Sequence, residues 1–267
     1  MMPLDKHAPA PPLVVITRPL VQALVLQEKV LALGRQSVIF PLLEISALID
    51  NTALDAVLSQ LQRFALVAFV SPNAIDAAFA RCPAWPATVP LAVMGEGSRH
   101  ALAAHGVTAS TTQIYSPIDV ERTDSQTLLA ALDPASFAGQ QVLILRGDGG
   151  RELLADALRA AGADVVQVTA YQRKAPTVNS AMMAQLRQLL DEPCEWIITS
   201  SEALRVLVQW ASQLSLSGEY VAILQQKMLI VPHARIAETA QTLGFNHITR
   251  TASGDTGLLA ALQSRHE

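Results

Sequence analysis

Short apolar runs alternate with stretches of helical spacing along almost the whole chain. Val14–Thr17 reads as a strand, and Val21–Leu33 as a helix with Ala23, Leu26, Val30 and Leu33 on one face. Gln36–Ile45 is extended but contains Pro41, which suits an edge or crossing strand. Asp50–Gln62 has the spacing of an amphipathic helix capped near Asp50 or Asn51. Leu66–Val70 reads as a buried strand running into Ser71-Pro72-Asn73, with Ser71 as helix cap and Pro72 at the first helical position. Leu91–Met94, Gly95-Glu96-Gly97 and Ser98–Ala104 repeat the strand-turn-helix order, and Val107–Thr111 reads as a short strand. Cys82–Val89 and Tyr115–Thr123 read as loops, the second leading to a helix over Ser125–Leu132.

Val142–Arg173 forms one complete β-turn-α-turn-β unit. Its apolar strand Val142–Leu145 is followed by the turn Arg146–Gly150. From Arg151 a helix carries Leu154, Ala157, Leu158 and Ala161 on one face, Gly162 is placed to stop it, and Val165–Tyr171 is a strand again. Ala175-Pro176 marks a break. Helices then fall near Asn179–Leu190, Glu202–Leu214, Ala234–Leu243 and Asp255–Gln263, with strands at Trp196–Thr199, Met228–Val231 and His247–Thr249.

The chain contains this unit twice. Arg18 matches Arg146 and Gly34 matches Gly162, both at a separation of 128 (146 − 18 and 162 − 34). Ala68–Ile75 resembles Ile197–Leu204, with Ser71 and Ser200 separated by 129 (200 − 71). Leu91–Gly106 resembles Met228–Gly244, and Ser125–Leu132 resembles Asp255–Leu262. Four ordered correspondences predict a duplicated α/β half, each copy about the size of a small domain.

At 267 residues the chain is long enough for one or two substantial cores. A hydrophobic fraction of 51% with 4% aromatics suits aliphatic α/β layers better than a β-sandwich. The net charge of −4 argues against nucleic-acid binding, yet local arginines and backbone N–H groups still allow an anionic ligand. Cys82 and Cys194 are isolated, as expected of free thiols in a reducing compartment. The opening MMPLDKHAPAPP has no long apolar core and reads as a mobile tail, and no run approaches the roughly 20 residues of a membrane span. A cytoplasmic location is expected.

The strand-to-helix turns hold small, hydroxyl or basic residues. They are Arg18-Pro19, Ser71-Pro72-Asn73, Gly95–Ser98, Arg146–Gly150 and Thr199-Ser200-Ser201, with Pro232–Arg235 less typical. Ligands of open α/β sheets bind at such strand ends, where unpaired N–H groups favour anions. No GxGxxG with a distant acid, no GxxxxGK[ST], no GxSxG and no metal-ligand spacing among the six histidines occurs.

The ordered set Ile16-Thr17-Arg18-Pro19, Phe40-Pro41-Leu42, Phe69–Ala74, Val93-Met94-Gly95 with the later Gly106, and Ala170-Tyr171-Gln172-Arg173 resembles the uroporphyrinogen-III synthase family. Pro232–Ala237 resembles the version in bacterial members, and the resemblance runs from Val14 to Leu262. Val70, where a Thr often precedes the Ser, and Pro232-His233, where Gly-Pro-Thr is common, depart from the family's eukaryotic form. The resemblance implies two similar doubly wound parallel-sheet domains joined by a two-stranded linker. Domain 1 would comprise residues 1–37 and 175–267, and domain 2 residues 46–164. Residues 38–45 and 165–174 would be the linker strands, and the strand-to-helix turns would line a cleft. It also implies cyclisation of hydroxymethylbilane, a tetrapyrrole with eight carboxylates, to uroporphyrinogen III. Water is lost and ring D inverted through a spiro intermediate, without cofactor or metal, by a monomer.

Tyr171 matches the family motif and is the candidate acid, since a phenol stays protonated at neutral pH and can donate to a departing hydroxyl. Ser71, Asn73, Ser98, Gly147, Ser200 and Ser201 are candidate carboxylate contacts through hydroxyls and nearby N–H groups. Arg18, Arg146 and Arg235 are candidate partners for acetate or propionate arms. Plain helix caps, solvated or bridging arginines and an amphipathic tyrosine remain open alternatives, and His233 is expected to be peripheral. A two-lobed anion- or tetrapyrrole-binding module without catalysis is the alternative function.

Overall fold

The computed structural model describes residues 11–117, 125–149 and 152–264, with Ser125 described by its backbone alone. Most of the expected N-terminal tail, much of the loop expected over 115–123, and Gly150 and Arg151 of the glycine-rich turn lie outside the described residues.

Strands and helices alternate as the sequence pattern predicts. The first half holds β1 (Leu13–Ile16), α1 (Leu20–Ala32), β2 (Ser37–Ile39), β3 (Glu44–Ser46), α2 (Thr52–Leu58), β4 (Leu66–Phe69), α3 (Pro72–Phe79), β5 (Leu91–Val93), α4 (Glu96–Ala104), β6 (Ile114–Tyr115) and α5 (Ser125–Ala131). The second holds β7 (Gln141–Gly147), α6 (Leu153–Ala160), β8 (Asp164–Lys174), α7 (Ser180–Asp191), β9 (Cys194–Ile197), α8 (Ser201–Leu214), α9 (Glu219–Gln225), β10 (Met228–Val231), α10 (Ala234–Thr242), β11 (Ile248–Arg250) and α11 (Gly254–Gln263).

The chain divides into two compact units, Met1–Glu44 with Ala175–Glu267, and Ile45–Lys174. The first contains the sheet β2-β1-β9-β10-β11, parallel throughout. The second contains β3-β8-β7-β4-β5-β6, parallel from β8 to β6. The two orders correspond strand for strand: β2 with β8, β1 with β7, β9 with β4, β10 with β5, and β11 with β6. Each sheet therefore combines the opening strands of one half of the chain with the last three of the other.

The residues read as linker strands belong largely to the units themselves. β8 pairs with β7 from Asp164 to Tyr171, and β2 pairs with β1. Phe40, Leu42 and Leu43 are buried in the core of the first unit, with Phe40 edge-on to Trp196 and Trp210 at 6.3 and 6.1 Å. Pro41 falls between β2 and β3, so its missing N–H interrupts no ladder. Burial of these aromatic and aliphatic side chains, which supplies about 1.5–3 kcal/mol each, is what draws the segment into the unit.

Helix starts follow the sequence signals. Ser71 Oγ accepts from Ala74 N–H at 3.2 Å ahead of Pro72, and Asn179 Oδ1 accepts from Met182 N–H at 2.9 Å. Asp50 accepts from Thr52 N–H at 2.8 Å. The buried face of α1 is Ala23, Leu26 and Val30. One expectation is corrected: residues 107–111 form no strand, and the edge strand is β6. Thr108 and Thr111 bond each other locally, with Thr108 N–H donating to Thr111 Oγ1 and Thr111 N–H to Thr108 O, both at 3.0 Å. Such side-chain turns compete with ladder formation. Helix α9 is not among the elements that the spacing predicts.

The first unit also buries an ion pair that the sequence does not announce. Arg35 and Glu195 are 6% and 7% exposed and meet at 2.8 Å, and Arg35 also donates to the carbonyls of Pro12 and Leu262. Removing one member strands the other charge in the core, at a cost of about 3–5 kcal/mol. Glu195→Ala is expected to lose stability on that scale in urea unfolding. A loss below about 1 kcal/mol would show that the pair is solvated in solution.

Candidate active site

Four adjacent strands of the second unit, β8, β7, β4 and β5, bring Tyr171, Arg146 and Gly147, Ser71, and Gly95–Ser98 to one edge of the sheet. This edge lies at the carboxyl ends of parallel strands, the ligand-binding edge of open α/β sheets.

Tyr171 owes its orientation to a β-bulge. β7 and β8 run in register from Gln141↔Asp164 to Arg146↔Thr169, and then Gly147 pairs with Tyr171. Ala170 is the extra residue. Strict alternation would place Tyr171 on the face opposite Val168 and Ala170, yet all three lie in the same buried cluster. The slip re-aims the phenol onto the face covered by α2 and α3. There it is 4% exposed, and its oxygen accepts a hydrogen bond from Ser71 Oγ at 3.1 Å.

Gly147 is required by space. A Cβ built there would stand 2.7 Å from Tyr171 Cζ, 2.9 Å from its oxygen and 3.0 Å from Cε2. Asp148 fixes the strand end behind the ring: its N–H donates to Tyr171 O at 3.0 Å, and its Oδ1 accepts from Arg173 N–H at 2.6 Å. Asp148 is not singled out by the sequence reading, although an Asp in a glycine-rich turn is a recognised acceptor for nearby backbone N–H groups.

The arginines are already engaged. Arg146 is 9% exposed and donates to Glu152 Oε1 at 2.5 Å and Gln167 Oε1 at 2.9 Å, while Gln167 donates to the other Glu152 oxygen at 2.7 Å. Those hydrogen bonds, first from Gln167 and then from Arg146, hold the Glu152 carboxyl below its ordinary range. In the first unit the equivalent arginine, Arg18, donates to Asp255 at 2.7 Å, and Lys29 binds the second Asp255 oxygen at 2.6 Å. Burial by itself would raise the Asp255 carboxyl, but the hydrogen bonds and charges of Lys29 and Arg18 outweigh it and hold the carboxyl low.

The remaining candidates are placed as follows. Ser98 is buried in the first turn of α4, and Asn73 is half-buried in the first turn of α3. Ser200 caps α8 by accepting from Glu202 and Ala203 N–H at 3.2 and 3.4 Å, and Ser201 is buried and accepts from Thr239 Oγ1 at 3.0 Å. Arg235 is exposed in the first turn of α10, and His233 Nδ1 lies 3.3 Å from Ser253 Oγ. Thus Ser71 and Gly147 both adjoin the Tyr171 phenol, and Arg146 precedes Gly147 in β7. Arg18, Ser200, Ser201 and Arg235 occupy the corresponding strand ends of the other unit. Among the described residues no cluster of three or more His, Cys, Asp or Glu is arranged to hold a metal ion.

A family model described as uroporphyrinogen-III synthase HemD matches residues 25–258. The chain belongs to the uroporphyrinogen-III synthase family. The uroporphyrinogen-III synthase of Salmonella typhimurium is 33% identical over 255 residues, spanning 94% of this chain and 99% of the relative. That of Escherichia coli is 33% identical over 257 residues, with the same coverage of 94% and 99%. Among solved structures, the synthetase of Helicobacter pylori superposes with a TM-score of 0.59 at 15% identity, over 96% of this chain and all of the other. A mutant synthase of Thermus thermophilus gives 0.58 at 14% identity, over 95% and 98%. These last two show the shared fold of uroporphyrinogen-III synthases, and the family match makes the chain an enzyme of that kind.

The Arg18–Asp255–Lys29 cluster sets a pH dependence. Because the folded Asp255 carboxyl titrates below its unfolded value of about 3.9, its stabilisation is present above that pH and is lost as pH falls through the folded value. Asp255→Asn is therefore expected to lower the urea midpoint at pH 7 and to differ less from wild type at pH 3. An equal difference at both pH values would count against the cluster.

Proposed function

We propose that this chain closes hydroxymethylbilane into uroporphyrinogen III, with loss of water and inversion of ring D through a spiro intermediate, and that the Tyr171 phenol protonates the departing hydroxyl. Family membership over nearly the whole chain supports the reaction, and favours it over a non-catalytic anion-binding module. The observation that carries the residue assignment is the phenol at the carboxyl edge of the sheet, its oxygen accepting from Ser71 so that its own proton is free to be donated.

The C–O bond breaks with its electron pair leaving on oxygen, and the phenol proton completes the water molecule. The cation is shared with the pyrrole nitrogen of the electron-rich ring. Ring closure finally expels a proton from the last pyrrole, which returns the phenolate to phenol. The protein's main tasks are then to fold the substrate and to hold the cation.

Carboxylate arms would be bound chiefly by N–H groups at the helix starts near Asn73, Ser98, Ser200 and Ser201. Arg18, Arg146 and Arg235 would pair with substrate carboxylates, Arg18 and Arg146 by exchanging the carboxylates that hold them in the fold. On this reading the enzyme is a cytoplasmic monomer acting on one diffusing substrate, with no cofactor, metal, nucleic acid or membrane partner. No helix among the described residues is long and apolar enough to cross a membrane. The matching strand orders support descent from a duplicated α/β half.

Incubation with enzymically generated hydroxymethylbilane, oxidation, and chromatography of the type I and type III isomers tests the activity. Type III is expected, and only type I at the level of an enzyme-free control would overturn it. Tyr171→Phe is expected to lower kcat by about 100-fold or more while leaving the urea midpoint within the range of a conservative substitution.

A further inference from the structure

The sequence pattern makes Ser71 and Gly147 candidate contacts for substrate carboxylates, but the geometry assigns them another task. We infer that both are positioning residues for the Tyr171 phenol, acting through it and not through the substrate. The inference rests on the reading of Tyr171 as proton donor.

A serine hydroxyl has one proton and two lone pairs. One lone pair of Ser71 takes Ala74 N–H at 3.2 Å, and the proton goes to the Tyr171 oxygen at 3.1 Å. No side-chain donor remains on Ser71 for a carboxylate. The donors run in one direction, from the N-terminus of α3 through the serine to the phenol oxygen, and bonds aligned in this way polarise one another. The arrangement leaves the phenol proton pointing away from Ser71 and free for transfer. It also opposes the reverse arrangement, in which the phenol would spend its proton in a hydrogen bond to the serine oxygen.

Gly147 supplies the opposite wall. The nearest atoms to a Cβ at this position are Cζ, the hydroxyl oxygen and Cε2 of Tyr171, which are the working end of the side chain. Its backbone angle is not the constraint, since Gly147 is absent from the positive-φ residues. A methyl group at 147 would push the hydroxyl off Ser71. The bulge sets which face the ring takes, Gly147 sets its depth, and Ser71 sets the direction of its proton.

The test is a double-mutant cycle on the full chain, with kcat and KM for type III formation measured for Ser71→Ala, Ser71→Thr, Tyr171→Phe and Ser71→Ala/Tyr171→Phe, each confirmed folded by circular dichroism. Ser71→Ala is expected to lower kcat about two- to tenfold, the scale of one hydrogen bond, with KM within about twofold. Ser71→Thr, which keeps the hydroxyl, is expected to restore kcat. In the Tyr171→Phe background Ser71→Ala is expected to have no further effect, because the acceptor is gone. A rise in KM of equal size in both backgrounds would make Ser71 a substrate contact and overturn the inference while leaving Tyr171 as the donor. Wild-type kcat in Tyr171→Phe alone would overturn the donor reading and the inference together. Should Ser71→Ala fail to fold, Gly147→Ala takes its place: a fall in kcat with little change in KM supports the inference, and wild-type kcat overturns it.

Discussion

Side chains on an unbroken strand alternate between the two faces of its sheet, and Tyr171 departs from that rule by one residue. The slip between Arg146 and Gly147 leaves Ala170 unpaired, so Val168, Ala170 and Tyr171 all face the same core. Much of the candidate site follows from that slip. It brings the phenol over the bare Cα of Gly147, within reach of the serine that begins α3. It also places the Asp148 N–H and carboxylate where they hold the strand end on either side of Gln172. A bulge of this kind costs ladder pairing, and such features recur beside active sites because they re-aim a side chain.

Charge is handled differently at the two ends of the strands. At the amino end of β9 the Arg35–Glu195 pair is sealed from solvent. At the carboxyl ends Arg18 and Arg146 are held by carboxylates on neighbouring segments, one partly exposed and one half-exposed. An arginine kept in place by an accessible carboxylate is charge-balanced and pre-oriented, and an incoming carboxylate of better geometry can replace the internal one.

The order of strands and helices was legible because aliphatic runs, helix caps and glycine stops recur with little ambiguity in this chain. Ser71 with Pro72, and Asn179 ahead of α7, behave as their local chemistry dictates. The strand expected over residues 107–111 failed for a local reason too. Thr108–Thr111 has a strand-like composition, but its hydroxyls close a turn on themselves. In residues 38–45, which the family resemblance makes a linker strand, Phe40, Leu42 and Leu43 are held by a core assembled from distant segments.

The sequence by itself determined the parallel α/β class, the repeated order of elements, the family and the tyrosine at the end of β8, since each is written in spacing or motif. Only the tertiary structure decided what the neighbours of that tyrosine do. Whether a serine proton is free, whether an arginine already has a partner, and whether a glycine serves conformation or clearance all depend on atoms brought in from elsewhere in the chain. Ser71 lies 100 positions from Tyr171 in the sequence and 3.1 Å from its oxygen in the fold. Periodicity and local propensity describe single segments, and this contact belongs to two.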